Sequence, residues 1–375
     1  MFRKTSYLVI LISLMTVFIG VTFSVQGHSP DGNENNIDWE EVNKTVSIEA
    51  TEEDKQLALE TWTREARVNA QPMPFPTGLP ADMERNGQSV DEFEFTGEPG
   101  FAPSGAPDPE ANHVAQQEFP LDWDLINELV TEESPDATAG GAGVYTSYLG
   151  NYYSQMHQYF PYKAVGKLYI SGGGYCSAAV ISPNNIIATA AHCVYDTETN
   201  EWLDGWTFVP ADRNGSAPYG TFPWESARVL WRYIDAPNWS SGIRSDVALI
   251  TLGNNSAGHS VTYYTGNLGR TWNNSYRQNL HAIGYPSNLN DGKYTYVCTA
   301  ESFWKGADKI GMGCNMEQGS SGGPWIKKFT PHAGGANNYV NAVVSGGPPC
   351  VSTGSFCGPR FSSWNIVPLC NNEGC

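Results

Sequence analysis

The stretch Gly319-Ser320-Ser321-Gly322-Gly323-Pro324 places a serine among glycines. It is the strongest indication in this chain of both a fold and a chemistry. Upstream, Thr189-Ala190-Ala191-His192-Cys193 closes an apolar run with a histidine beside a cysteine, and Ser245-Asp246-Val247-Ala248-Leu249-Ile250 places one carboxylate before an apolar strand. Each stretch alone has a plain structural explanation: a flexible turn, a structural histidine and a strand cap. Their combination in one chain favours a catalytic site.

Ser321, His192 and Asp246 are the side chains that nucleophilic acyl transfer by serine requires. The hydroxyl needs a base to take its proton, and the imidazole needs an acid partner that fixes its tautomer and stabilises the imidazolium. Because Gly319 has no side chain, the backbone can approach a scissile carbonyl there, and the amides of Gly319 and Ser321 can converge on its oxygen. We therefore predict Ser321 as nucleophile, His192 as base, Asp246 as the orienting acid and these two amides as the oxyanion hole.

The sequence from Tyr145 onward consists of short apolar segments separated by Gly, Pro and Asn turns. Such segments, rich in Val, Ile, Tyr and Trp, favour a β-sandwich or β-barrel, and no helix of heptad length is expected to compete. The predicted strands are Val165–Ser171, Ser177–Ile181, Ile186–Ala190, Trp206–Val209, Ala227–Tyr233, Val247–Leu252, Asn279–Ile283, Tyr294–Cys298 and Tyr339–Ser345.

The chain order histidine, aspartate, serine, with a cysteine after the histidine and a Gly-x-Ser-Gly-Gly-Pro frame, resembles the chymotrypsin-like serine endopeptidases. Three segments are similar to their secreted microbial, glutamyl-endopeptidase-related (V8-like) branch: Gly215-Ser216-Ala217-Pro218-Tyr219-Gly220, Gly284-Tyr285-Pro286 and the stretch from Gly313 to Trp325. The resemblance spans roughly Phe160 to Phe361. An esterase of the α/β-hydrolase type is disfavoured. That fold carries its catalytic residues in the chain order serine, acid, histidine.

This resemblance implies an all-β fold of two six-stranded antiparallel β-barrels, with the site in the cleft between them. It also implies a disulfide behind the histidine, Cys176–Cys193, and one ahead of the serine loop, Cys298–Cys314. The remaining cysteines are paired only by their proximity in sequence, as Cys350–Cys357 and Cys370–Cys375, since spacing does not fix connectivity.

The resemblance also places a substrate-binding pocket beside the serine. Asn315 corresponds to the base of this pocket, Met316 and Gln318 to its lining, and Ser345-Gly346-Gly347 to a wall that pairs with the substrate backbone. Without an aspartate at Asn315, selection for Arg or Lys lacks its counter-charge. The glutamate-specific relatives carry a histidine where this chain has Val344, so the preferred residue stays open.

The acidity of the chain belongs to its first third. The net charge is −18, yet residues 1–140 hold 26 acidic and 7 basic residues and the remainder is nearly neutral. A near-neutral remainder lacks the basic field of a nucleic-acid-binding protein, so no nucleic-acid partner is expected. The sequence offers no cysteine or histidine pairs at metal-ligand spacing, and we predict neither a metal site nor a cofactor.

Residues 1–27 are typical of a secretory signal peptide. Arg3 and Lys4 precede an apolar run from Tyr7 to about Val21, followed by the small or neutral residues Ser24–Gly27. A membrane anchor is the alternative, but no basic stop-transfer cluster follows the run. All eight cysteines lie in the last 200 residues, an even number that suits disulfides in an exported protein. We predict a secreted protein without membrane contact once the signal is removed.

Residues 28–143 form an acidic leader that ends in an Ala/Gly linker. One amphipathic helix is predicted over Thr51–Asn69, followed by Pro-rich stretches that oppose regular structure. The leader is either a disordered spacer or a pro-segment that masks or assists the enzyme and is cut near Glu133–Val144. Ser320 stands where animal relatives carry an aspartate that pairs with a new N-terminal ammonium, so activation by that ion pair is not expected.

The sequence therefore predicts a secreted serine endopeptidase made as a preproenzyme, with residues 144–375 as its chymotrypsin-like domain. Its partners would be polypeptide substrates and its own pro-segment, and we expect a monomer. The contrasting hypothesis is a non-catalytic binding protein on a protease scaffold. Such proteins usually lose a residue of the triad, and here none is missing.

Overall fold

The structure is a computed structural model that describes residues 40, 43–76, 97–111, 145–150, 156–236, 239–304, 306, 308–331, 335–346 and 354–375. The predicted signal peptide and the Ala/Gly linker lie outside the described residues.

The strands lie mostly after residue 145. They are β1 (Thr45–Glu49), β2 (Gln71–Pro72), β3 (Gly100–Ala102), β4 (Tyr145–Leu149), β5 (Val165–Ile170), β6 (Gly174–Ser182), β7 (Ile186–Thr189), β8 (Tyr195–Asp196), β9 (Glu201–Trp202), β10 (Thr207–Pro210), β11 (Phe222–Leu230), β12 (Ala248–Leu252), β13 (Gly269–Trp272), β14 (Asn279–Gly284), β15 (Tyr296–Glu301), β16 (Phe303–Trp304), β17 (Lys309–Gly313), β18 (Pro324–Lys327), β19 (Tyr339–Val343) and β20 (Ser355–Pro359). The α-helices are α1 (Glu52–Thr61), α2 (Arg64–Asn69), α3 (Trp231–Ile234), α4 (Trp239–Gly242), α5 (Val261–Thr265) and α6 (Ile366–Glu373).

The first half of the region that follows residue 145 is a closed barrel. Its six strands follow the order β10-β5-β6-β7-β12-β11, and β11 returns to β10, with every neighbouring pair antiparallel. Every residue of β5, β7 and β10 is buried, because side chains on one face fill the barrel and those on the other are covered by neighbouring parts of the chain. The β-branched and aromatic residues of these strands fit a surface buried in this way.

The second half is built from two sheets, one of seven strands and one of three. Strands β15, β14, β18 and β19 lie side by side, and β17 pairs with β20 in a separate three-stranded sheet. The two sheets are joined by bridges from Ala342 to Arg360 and from Gly346 to Cys357. They enclose an apolar cluster that includes Met312, Trp325 and Phe356. The predicted all-β, two-barrel architecture is confirmed.

Two predicted elements have different bounds in the structure. The strand predicted over Ala227–Tyr233 ends at Leu230 and continues as α3. The predicted helix over Thr51–Asn69 is broken into α1 and α2, because Thr63 starts a new helix with its hydroxyl accepting from the Ala66 amide at 3.3 Å.

Helix α6 at the C-terminus was not predicted. It is short and contains Pro368, which is tolerated there because its first-turn position needs no amide donor. Its Glu373 accepts hydrogen bonds from Arg228 on β11 and Thr251 on β12, both at 2.6 Å, which holds the helix against the first barrel.

Three of the predicted disulfides are present: Cys176–Cys193, Cys298–Cys314 and Cys370–Cys375. Cys357 is also disulfide-bonded, but Cys350 lies outside the described residues, so that pairing stays a prediction.

The described parts of the leader pack against the module that follows. Strand β1 extends the first barrel beside β11, β2 runs parallel to β6, and β3 pairs with β13 in the second half. The Trp62 ring lies 4.8 Å from the ring of Tyr169, and the Arg67 guanidinium donates to the Gly215 carbonyl at 2.9 and 3.0 Å. Among the described residues, no helix has the length and apolar character needed to cross a membrane.

Candidate active site

His192 lies at the end of β7, within a single 3-10 turn, Ala191–Cys193. The turn is fixed from behind by the bridge from Cys193 to Cys176 on β6. The indole of Trp206 adds a second restraint, because its Nε1 donates to the Cys193 carbonyl at 3.0 Å. The backbone that carries the histidine therefore has little freedom to move.

Asp246 follows the short turn Ile243–Ser245 and lies just before β12. Because Ala248 of β12 pairs with Thr189 of β7, the sheet register brings this aspartate beside the histidine. The His192 Nδ1 lies 2.9 Å from Asp246 Oδ2, and the His192 backbone amide donates to Oδ1, also at 2.9 Å. A proton on Nδ1 fits this contact, which leaves the lone pair on Nε2.

The Asp246 carboxylate is fully buried and has a third donor, the hydroxyl of Ser345. The sequence assigned Ser345 only to the substrate-binding wall, and it missed this contact. Nothing in the spacing of the two residues, 99 positions apart, signals it. Three donors around one carboxylate hold its two oxygens in a fixed orientation toward the imidazole.

Ser321 lies in the loop between β17 and β18. Its carbonyl accepts from the Ser177 amide on β6 at 2.7 Å, and the amide of Gly322 donates to the Val344 carbonyl at 2.7 Å. A Cβ atom on Gly322 would lie 2.1 Å from Thr189 Oγ1 and 2.8 Å from the Ala190 nitrogen. The serine loop therefore contacts the end of β7, the strand that leads to His192.

The Ser321 hydroxyl is buried and makes no hydrogen bond within the described part of the chain. The structure thus joins His192 to Asp246 directly and brings the Ser321 loop against the strand before His192. The hydrogen bond from serine to histidine in the predicted triad is not formed, and the triad as a unit stays a prediction.

The backbone at Gly319 requires glycine. Its φ is +87°, and a Cβ atom there would lie 2.7 Å from the Tyr175 ring and from the Tyr285 carbonyl. Within the described ranges, neither the Gly319 amide nor the Ser321 amide donates to a protein group. Both N–H groups are therefore available to an oxyanion, as the sequence predicted they would need to be.

Two buried charged residues, Lys167 and Asp212, lie near this loop. Asp212 is fully buried and accepts hydrogen bonds from the Tyr169 hydroxyl at 2.9 Å and the Gly215 amide at 3.2 Å. The Lys167 ammonium lies 4.1 Å from the centre of the Tyr175 ring, which itself contacts Gly319. Burial raises the pKa of Asp212 and lowers the pKa of Lys167, and each charge partly offsets the shift of the other.

The residues predicted to bind substrate are found in three different environments. Met316 is buried in the same apolar cluster as Val344, whereas Gln318 is exposed. Asn315 is half-buried, and its carbonyl accepts from the Asn288 side chain at 2.8 Å. Of these three residues, only Met316 has an apolar side chain, and it is buried.

The predicted backbone wall is partly occupied by the protein itself. The amide and the carbonyl of Gly346 are both bonded to Cys357, at 3.2 and 2.8 Å. Gly347 lies outside the described residues. Ser345 and Gly346 are thus the described part of the wall, and the Ser345 hydroxyl is directed to Asp246.

Known proteins resemble this chain in sequence and in structure. A family profile described as Trypsin matches residues 150–361, more than half of the chain. A glutamyl endopeptidase of Bacillus licheniformis is 33% identical over 84 residues, a match that covers 22% of this chain and 24% of that protein. The chain thus matches about a quarter of the length of this curated relative.

Two solved structures are also similar. A Glu endopeptidase in complex with MPD is 18% identical, covers 63% of this chain and 99% of its own, and superposes with a TM-score of 0.50, which supports the fold. The protease Anisep of Arthrobacter nicotinovorans is 24% identical, with coverage of 56% and 94% and a TM-score of 0.49.

Proposed function

Because the chain belongs to the trypsin family of serine proteases, we propose that it is a secreted serine endopeptidase that cleaves peptide bonds with Ser321, His192 and Asp246. The observation that carries this proposal is the contact between His192 Nδ1 and Asp246 Oδ2 at 2.9 Å, beside a glycine-rich loop that presents a serine and two unoccupied amides. This arrangement supplies a base with a fixed tautomer and a site for negative charge.

The reaction proceeds through an acyl-enzyme. Ser321 Oγ attacks the carbonyl carbon of the scissile peptide while His192 Nε2 takes the hydroxyl proton. The negative charge on the carbonyl oxygen is bound by the amides of Gly319 and Ser321. His192 then gives its proton to the leaving amine, and water repeats the sequence to release the acid and regenerate the serine.

Asp246 orients His192 in both steps and stabilises the imidazolium that forms in each. Its full burial excludes water from the contact, so the attraction between carboxylate and imidazolium is stronger than it would be in solvent. The hydroxyl of Ser345 supports the same carboxylate from the opposite barrel.

The substrates are polypeptides, and the residue preferred next to the cleaved bond is open. The name of the Bacillus licheniformis relative makes glutamate a candidate. Within the described lining, Met316 and Val344 are apolar and supply no cation for a carboxylate. Two nearby lysines have other contacts, since Lys327 donates to the Asn274 side chain at 2.6 Å and Lys328 lies over the Tyr339 ring. A peptide library cleaved by the processed enzyme would identify the preference.

The leader is proposed to act as an inhibitory pro-segment. The amides of Gln71 and Met73 donate to the carbonyls of Gly173 and Tyr175, at 2.8 and 2.9 Å, so that the leader lies along the edge of β6. Tyr175 is two residues before Ser177, whose amide contacts the Ser321 carbonyl, which puts the leader strand about 7 Å along β6 from the nucleophile loop. A peptide seated there obstructs substrate on that side of the serine.

Cleavage near Glu133–Val144 would leave β4 in the mature enzyme, where its pairing with β15 keeps the new N-terminus on the second half. Sequencing the N-terminus of the secreted, active protein tests this proposal. A terminus far from that window would contradict it. Isolated leader, residues 28–143, added to processed enzyme should inhibit hydrolysis, whereas a leader without residues 70–76 should inhibit much less.

The decisive experiment uses processed protein and its Ser321→Ala variant. A serine-directed phosphonate should label the wild type and fail to label the variant, and casein hydrolysis should fall by about 10⁶ with the variant. Labelling and hydrolysis that persist in Ser321→Ala would refute the assignment. A folded, processed wild type that neither labels nor hydrolyses would favour a binding protein on a protease scaffold.

A further inference from the structure

We infer that Ser177 is a positioning residue for this reaction, because it holds the Gly319 peptide so that the proposed oxyanion hole is formed before substrate arrives. The inference rests on the proposed function of the Ser321 site. Ser177 was not among the residues singled out in the sequence, where it is an ordinary serine of a predicted strand.

The amide, the carbonyl and the hydroxyl of Ser177 together make four hydrogen bonds, and the residue is fully buried. Its hydroxyl donates to the Gly319 carbonyl at 2.9 Å and accepts from the Tyr285 amide at 3.0 Å. Its amide donates to the Ser321 carbonyl at 2.7 Å, and its carbonyl accepts from Thr189 Oγ1 at 2.9 Å. One side chain and its backbone therefore contact both residues whose amides would bind the oxyanion.

These contacts fix the part of the loop that is freest to rotate. Gly319 has a positive φ and no side chain, so its backbone has more conformations available than any other residue would have there. The Gly319–Ser320 peptide is held at both ends, the carbonyl by Ser177 and the Ser320 amide by the Glu317 carbonyl at 3.1 Å. The preceding peptide, which carries the Gly319 N–H, is also held, because the Ser287 amide donates to the Gln318 carbonyl at 2.8 Å. With the peptides on both sides of Gly319 fixed, its amide keeps one direction.

Ser177 also links the two halves of the molecule. It lies on β6 of the first barrel, whereas Tyr285 directly follows β14 of the second half. Thr189, which bonds the Ser177 carbonyl, is three residues before His192. The nucleophile loop is thus positioned relative to the strand that carries the base, which catalysis requires to within a fraction of an ångström.

Removal of the hydroxyl should therefore reduce turnover more than substrate binding. Without it, the buried Gly319 carbonyl and Tyr285 amide lose a common partner, and the loop gains alternative orientations in which the Gly319 amide no longer faces the substrate. The oxyanion is bound most strongly in the transition state, so the effect falls on kcat.

The test compares Ser177→Ala with a matched control, Ser182→Ala. Ser182 lies on the same strand and is equally buried, but its hydroxyl accepts from the Asn184 amide at 3.2 Å, away from the serine loop. Phosphonate titration gives the concentration of intact sites, so that every rate is expressed per active site. Ser177→Gly provides a second way to delete the hydroxyl without adding atoms.

In Ser177→Ala, kcat per titrated site should fall by about 10- to 100-fold while KM changes less than about twofold, a smaller effect than loss of an oxyanion donor itself. Affinity for a peptide aldehyde, whose hemiacetal places an oxygen in the oxyanion hole, should fall by the same factor as kcat. Ser182→Ala should match wild type in both measurements.

A kcat within about twofold of wild type in the hydroxyl-deleted variants would overturn the inference, as would a loss confined to KM or unchanged aldehyde affinity. If the processed wild type shows no hydrolysis that is lost in Ser321→Ala, the proposed function is overturned. The positioning role is then overturned with it.

Discussion

The two halves of the site are held in different ways. In the first barrel, His192 and Asp246 are joined directly, through the ring and through the backbone amide. In the second half, the Ser321 hydroxyl has no hydrogen bond among the described residues, and its loop is held through backbone groups. The proposed base and its acid are therefore preset by one barrel, whereas the proposed nucleophile depends on contacts that cross between the barrels.

The largest expected effect comes from breaking the preset pair. Asp246→Asn should lower kcat by about 10⁴ at neutral pH, because the amide favours the wrong imidazole tautomer while leaving the fold in place. Steady-state kinetics on a peptide substrate measures this change. Asp235→Asn, an exposed aspartate before the same strand, is the control and should behave as wild type. A loss below about tenfold in Asp246→Asn would contradict the preset pair.

The Cys298–Cys314 bridge should stabilise the protein more than the Cys370–Cys375 bridge, because it closes the longer loop. The Cys298–Cys314 bridge joins β15 to the end of β17 across a separation of 16 residues. Replacing both cysteines by serine should lower the free energy of unfolding by about 3 kcal/mol, from the entropy returned to the unfolded chain. Cys370 and Cys375 are only 5 residues apart, so the same double replacement there should cost about 2 kcal/mol. Denaturant unfolding of both variants tests the ranking, and a reversed order would contradict it.

A buried histidine in the first half, His157, should make the free energy of unfolding depend on pH. Burial lowers the pKa of His157 to about 3, and neither ring nitrogen has a hydrogen-bond partner within the described residues. Its pKa in the unfolded chain is near 6.5, so between pH 6.5 and about 3 only the unfolded state binds the proton. Acidification through this range should therefore lower the free energy of unfolding by up to about 1.4 kcal/mol per pH unit.

His157→Gln should flatten that dependence. His281 in the second half is only half-buried, and burial lowers its pKa too, so His281→Gln should flatten it less. Unfolding measured at several pH values distinguishes the two variants. Equal slopes in wild type and His157→Gln would show that this histidine carries no such coupling.

The smallest effect on kcat is expected from the hydrogen bond that Ser345 of the second half donates to Asp246 of the first barrel. Ser345→Ala removes one of the three donors to Asp246 and should lower kcat about tenfold with KM nearly unchanged, the size of one hydrogen bond to a charged group. Ser256→Ala, at an exposed serine, serves as the control. If Ser345→Ala raised KM alone, the residue would act as substrate wall only, as the sequence had suggested.

Much of the fold was predictable because its signals are local. Turn residues and β-branched segments predicted nine of the strands, among them the six of the first barrel. The motifs of the resemblance implied two disulfides that the structure confirms, Cys176–Cys193 and Cys298–Cys314. The unexpected helix α6 was missed because eight residues with a proline carry too weak a local signal. Its position is set by Glu373, whose partners are more than 120 residues away.

The amino-acid sequence specifies which groups are present: a serine among glycines, a histidine beside a cysteine, and an aspartate before an apolar segment. These are matters of residue type and spacing along the chain. Only the tertiary structure decided that the Ser345 hydroxyl is directed to Asp246 and that Ser177 holds Gly319 and Ser321 together. The physical reason is that hydrogen bonds are specific in distance and angle, and such geometry between residues about 100 or more positions apart exists only after the two halves have packed.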